Sequence, residues 1–195
     1  AKTINNMVSN IPGIHNIQNV LAVCAMSSEL GVPLNVIKSA LDSFEGVNRR
    51  FSLIKNFKGI KVFDDYGHHP VEIKATLAAA REISSNKVIA VVQPHRYSRL
   101  KILFEEFTSA FNDADTVFIT DIYAAGESKP EDMSNEILIN SLISAGHKDP
   151  RPYDSKELKR IVENNLQEGD ILVFLGAGDI TNKAKLFVNE YLEGQ

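Results

Sequence analysis

The chain has 195 residues, 44% of them hydrophobic, which is enough to bury one full core with a smaller piece beside it. A formal net charge of −4 with scattered basic residues gives no general attraction to a phosphodiester backbone, so nucleic acid is not an expected partner. No apolar run nears the roughly 18 residues a membrane helix needs, and Ala1-Lys2-Thr3 opens no signal peptide. A cytoplasmic protein without a membrane partner is therefore expected.

The stretch from Ala1 to about Gly13 is short, polar and lacks an initiator methionine, so an upstream segment is expected. From His15 to Leu30 the apolar positions Ile17, Val20, Leu21, Val23, Cys24, Met26 and Leu30 predict a helix buried over much of its surface, stopped at Gly31. Cys24, the single cysteine, excludes an internal disulfide and reads as core packing. A second helix follows, with Pro33 in its first turn, Val36, Ile37, Ala40, Leu41 and Phe44 at helical spacing, and Gly46 at its end. Two helices alone bury little, so residues 1–48 read as the tail of a domain whose body lies upstream.

Beyond residue 48 short β-rich runs alternate with amphipathic helical stretches, the pattern of an α/β fold with an open, mostly parallel sheet and helices on both faces. The expected strands are Phe51–Ile54, Ile60–Phe63, Val88–Val92, Val117–Thr120 and Ile171–Leu175, with a short one near Arg151–Tyr153. The expected helices cover about 70–84, 99–112, 134–145, 155–166 and 180–192. In such sheets ligands bind beyond the carboxyl ends of the strands, and the unusual polar motifs fall there. Ala124–Pro130 has the composition of a lid loop.

The strand at Ile60 runs into Asp64-Asp65-Tyr66-Gly67-His68-His69-Pro70, where Pro70 starts a helix and gathers two carboxylates and two imidazoles at its amino end. Acid and base types together at a strand end favour function over simple capping. One reading is a metal-dependent hydrolase using Asp64, Asp65, His68 and His69, with His95 as a further ligand. The next strand ends in Gln93-Pro94-His95-Arg96-Tyr97-Ser98-Arg99, whose two arginines, opposing the dipole of a helix start, predict a bound carboxylate or phosphate between them. Gly176-Ala177-Gly178-Asp179 lacks the third glycine and distal acid of a dinucleotide loop. It reads as a tight turn with Asp179 as helix cap, and a non-catalytic nucleotide-binding module using it as a phosphate turn is the other alternative. In the front helix Asn16 and Asn19 stand one turn apart, suited to a purine edge, while capping by Asn16 is the structural reading.

Five motifs in order, GIHNIQN at 13–19, GVNRRF at 46–51, DDYGHHP at 64–70, QPHRYSR at 93–99 and DIYAAGE at 121–127, resemble the Mur ligase family over nearly the whole chain. DDYGHHP and QPHRYSR are distinctive of its alanine-adding members. The resemblance implies a Rossmann-like carboxy-terminal domain at 49–195 that carries the incoming amino acid. It also implies that 1–48 is a short helical remnant ending the central ATP-binding domain. The implied reaction joins L-alanine to UDP-N-acetylmuramate in peptidoglycan precursor synthesis, through an acyl phosphate made with ATP and Mg2+.

By the same resemblance, His15, Asn16 and Asn19 would lie at the adenine, Arg50 at the ATP phosphates, and Asp65 would help join the nucleotide to the closing domain. Tyr66, His68, Arg96 and Arg99 would form the alanine pocket. The arginines would hold its carboxylate, Tyr66 would limit side-chain size, and His68 would orient or deprotonate the amine. No Gly-Lys-Ser or Gly-Lys-Thr phosphate loop occurs in these residues, so most Mg2+ ligands and the UDP-sugar site are expected elsewhere, and this segment alone is expected to be inactive.

Overall fold

The computed structural model describes residues 11–44 and 46–192. The chain divides into two compact units, Ala1–Val47 and Asn48–Gln195. The polar stretch expected over Ala1 to Gly13 lies, up to residue 10, outside the described residues.

The first unit holds α1 (Ile14–Glu29) and α2 (Leu34–Asp42). Gly13 and Gly31, both at positive φ, bracket α1, and Pro33 stands at the N-cap of α2. Within the described residues α1 meets its expected burial along one stripe only. Ile14, Ile17, Leu21, Val23, Met26 and Leu30 are all exposed, and Cys24 is the one buried residue of the helix. Its apolar positions run round the whole cylinder, whereas a single neighbouring helix covers only one stripe.

The second unit is built on a six-stranded sheet of order β1-β2-β6-β3-β4-β5. Its strands are β1 (Ser52–Phe57), β2 (Ile60–Asp65), β3 (Val88–Val92), β4 (Thr116–Ile119), β5 (Pro150–Pro152) and β6 (Ile171–Leu175). All neighbours pair in parallel except β1 and β2. That antiparallel hairpin turns on Lys58-Gly59, both at positive φ, as a two-residue turn that matches strand twist requires.

The central strands are apolar at every position, and their alternation divides the core into two layers. Ala90, Val92, Val173 and Leu175 pack against α3 (Pro70–Ile83), α4 (Tyr97–Ile102), α5 (Phe104–Thr108) and α6 (Asn135–Ser144). Ile89, Val91, Leu172 and Phe174 pack against α7 (Ser155–Asn165) and α8 (Ile180–Tyr191). The expected mostly parallel sheet with helices on both faces is therefore present.

The helix expected over 99–112 is broken at Leu103, whose φ of −107° and ψ of 26° leave the helical well; no proline or glycine marks the break. At the amino ends of the strands Arg81 donates to the carbonyls of Asn86 and Asp113 and to the Asp115 carboxylate, which also accepts from Val88 N–H at 2.9 Å. No helix among the described residues is long and apolar enough to cross a membrane.

Candidate functional site

β2 extends through Asp64 and Asp65, so both carboxylates belong to a buried strand end rather than to a loop. Successive strand residues face opposite sides of a sheet, and these two do. Asp64 accepts from the Thr181 hydroxyl of α8 at 2.9 Å, with Arg49 Nε 4.0 Å away; burial pushes its carboxyl above the ordinary range against the pull of both. Asp65 turns to α3, where Oδ1 accepts from Gly67 N–H at 2.7 Å and Thr76 Oγ1 at 3.2 Å, while Oδ2 accepts from Phe51 N–H at 2.7 Å. Asp65 thereby ties the start of β1 to the β2–α3 loop.

That loop divides its histidines. His69 is the N-cap of α3, its Nδ1 accepting from Val71 N–H at 3.3 Å, and Glu72 completes a capping box. Glu72 Oε2 accepts from His68 N–H at 3.1 Å and His69 N–H at 3.2 Å. Burial raises the Glu72 carboxyl, but those hydrogen bonds and the charges of His68 and Arg50 outweigh it and hold the group below its usual range. His68 Nδ1 lies 2.9 Å from the Tyr66 carbonyl oxygen. A carbonyl only accepts, so in the neutral ring Nδ1 carries the proton and Nε2 keeps its lone pair.

These duties overturn the metal-hydrolase reading. Asp64 and Asp65 point to opposite faces, His69 caps a helix, and among the described residues no three His, Cys, Asp or Glu side chains converge on a metal position.

Arg49, which sequence reasoning passed over in favour of Arg50, braces this end of the sheet. It sits at φ 61°, its Nη2 donates to Gly176 O at 2.9 Å, and its Cζ lies 4.6 Å from the Tyr66 ring centre. Arg50 is exposed, 3.7 Å from Glu72 Oε1 and 5.6 Å above the same ring. The tyrosine thus has two guanidinium groups and the edge of His68 around it.

At the end of β3, His95 pairs in parallel register with Tyr123, the two rings stacked 5.3 Å apart. His95 is also 5.6 Å from His68, so the rings of Tyr66, His68, His95 and Tyr123 form one continuous row across the strand ends. Arg99 turns back on this row, Nη1 lying 3.2 Å from His95 Nδ1. Burial, then the charges of Arg99, His68 and Arg96, holds the His95 ring below its usual pKa, which suits a neutral ring accepting from Arg99. Arg96 is exposed at φ 70°, with its N–H fixed by Tyr123 O at 2.8 Å.

Ser98, between the two arginines in sequence, binds an acid of the chain itself. Glu127 accepts from both the N–H and the hydroxyl of Ser98, and those two hydrogen bonds lower its carboxyl pKa. The segment 124–130 is thereby fastened to α4. Glu127, Tyr123, Arg49 and Glu72 were not assigned from sequence. Of these, Glu72 alone carried a local signal, standing three residues after a capping position.

The phosphate-turn reading gains no support: Gly176 N–H is spent on Asp65 O, and the carbonyls of Gly176 and Gly178 accept from Arg49. The close-approach reading holds at Gly178, where a Cβ would lie 2.6 Å from the Tyr123 ring. Asp179 occupies the N-cap position of α8 without capping it; its carboxylate accepts instead from Gln93 Nε2.

In the first unit, Asn16 and Asn19 lie on α1 as expected, with Asn19 exposed and His15 partly so. Asn16 does not cap the helix: its Nδ2 donates to Pro12 O at 2.7 Å, which turns the amide away from the helix N–H groups.

The family model described as Mur ligase, glutamate ligase domain, matches residues 49–178. The chain is 50% identical over 184 residues to a UDP-N-acetylmuramate–L-alanine ligase of Chelativorans sp. (strain BNC1), covering 94% of this chain and 40% of the relative. It is 48% identical over 189 residues to the same-named ligase of Agrobacterium fabrum (strain C58 / ATCC 33970), covering 96% and 40%. The crystal structure of UDP-N-acetylmuramate-alanine ligase MurC from Thermotoga maritima superposes with a TM-score of 0.80 at 32% identity, covering all of this chain and 42% of that one. The chain thus spans about two fifths of the length of the relatives it matches.

Proposed function

The chain belongs to the Mur ligase family, and from that premise we propose that it is part of an ATP-dependent ligase joining L-alanine to UDP-N-acetylmuramate in the cytoplasm. The observation that carries this reading is the meeting of Tyr66, His68 and His95 with Arg99 at the carboxyl ends of β2 and β3.

In the proposed reaction ATP phosphorylates the muramate carboxylate, the alanine amine attacks the acyl carbon, and phosphate leaves as the amide forms. An ammonium has no lone pair, so the amine must lose a proton before it attacks. His68, with Nδ1 committed to Tyr66 O, offers Nε2 as the acceptor that orients and deprotonates it. Arg96 and Arg99 hold the alanine carboxylate. Tyr66, fixed by Arg49 and Arg50, closes the space beyond the methyl group.

Arg50 meets the ATP phosphates, and Asp65 serves them indirectly by pinning Phe51, the next residue. In the first unit, the end of the ATP-binding domain, His15, Asn16 and Asn19 serve the adenine. The described residues offer no three-ligand group for Mg2+, so none of them is assigned to it and no step is routed through it.

The test is alanine-dependent release of phosphate from ATP by the intact ligase, with glycine and leucine as competitors, beside the same assay on residues 1–195 alone. Turnover with alanine by the intact protein and none by the segment is expected. Equal use of leucine, or ligation by the segment, would reject this reading.

A further inference from the structure

Glu72 is the point where the alanine side and the nucleotide side of the proposed site share one group. Its Oε2 accepts the N–H groups of His68 and His69 and lies 3.5 Å from His68 Nδ1, while its Oε1 lies 3.7 Å from Arg50 Nη1. Arg50 in turn stands over Tyr66, whose carbonyl fixes the His68 ring. A capping box needs only an oxygen at this position, which glutamine supplies as well as glutamate. The carboxylate charge is therefore not required for the capping hydrogen bonds, and the two cationic or protonatable groups beside it are the ones assigned to different substrates.

We propose that Glu72 is a positioning residue for the ligation: one carboxylate sets both the His68 loop and the resting place of the Arg50 guanidinium, so alanine and ATP meet partners arranged from a single anchor. The inference rests on the function proposed above. Arg50 is a long, rotamer-rich side chain, and a tether that narrows its range lowers what a phosphate must immobilise on binding. His68 needs its loop fixed for the same reason. Both effects act on binding ahead of the chemical step, so they appear in KM.

Glu72→Gln in the intact ligase separates charge from capping. The variant is expected to fold with a slightly lowered melting temperature and to raise KM for alanine and KM for ATP by about two- to fivefold each, the range commanded by a half-exposed charge pair. Its kcat should change less. In an Arg50→Met background the effect of Glu72→Gln on KM for ATP should vanish, while that on KM for alanine persists.

KM values equal to wild type in Glu72→Gln would overturn the inference, as would an undiminished ATP effect without Arg50. An intact wild-type protein that does not ligate alanine defeats the proposed function and this inference together. A normal wild type beside an unaffected Glu72→Gln defeats the inference alone.

Discussion

The Tyr66 carbonyl oxygen holds His68 Nδ1 at 2.9 Å, and so dictates which nitrogen of the ring can take a proton. Replacing His68 with alanine in the intact ligase should lower kcat for alanine ligation by about 10²-fold or more, the usual worth of a positioned base. ATP binding, measured by equilibrium titration, should be unchanged. Retained turnover would remove His68 from the chemistry.

Gly178 lies between Gln93 and Tyr123 with no room for a methyl group. Gly178→Ala should push Tyr123 off the His95 ring and cost about 1–3 kcal/mol, the usual range for overpacking. A lower urea midpoint together with a raised KM for alanine is expected. A drop in stability with an unaltered KM would show that the Tyr123–His95 stack plays no part in the pocket.

The Asp115 carboxyl is pulled upward by partial burial, but the hydrogen bonds from Arg81 and Val88 outweigh this and hold its pKa below the usual value. A carboxyl depressed in the fold binds protons more readily when unfolded. Its stabilisation is therefore present above the unfolded pKa and lost as pH falls through the folded one. Asp64 is raised by burial and works in the opposite sense. Asp115→Asn should lower the urea midpoint at neutral pH and flatten its decline between about pH 5 and pH 3. An unchanged slope would show that Arg81 does not depend on the charge.

Much of the architecture was legible because buried parallel strands carry unbroken apolar runs such as Val88–Val92 and Ile171–Leu175, and because Pro70 marks a helix start. The extent of β1 to Phe57 was not, since Lys55 and Asn56 read as loop while lying on an edge that polar residues tolerate. At the site, the resemblance of the DDYGHHP motif to the Mur ligases brought Tyr66 and His68 forward. It could not show that Asp64 and Asp65 diverge, because that depends on where β2 ends. Nor could it show that Glu127 reaches Ser98, a contact across 29 residues that only the fold creates.

The far edge of the sheet carries one more consequence. Val117 N–H donates to Asp149 O and Tyr153 N–H to Ile119 O, so alternate residues of this segment face β4 and the intervening Pro150 and Pro152 face outward. Proline has no N–H, and the outer border of β5 therefore offers no donor at either position to an incoming strand. This edge of the sheet is thus guarded against the addition of a strand from another chain by two prolines that lie outside the proposed alanine pocket.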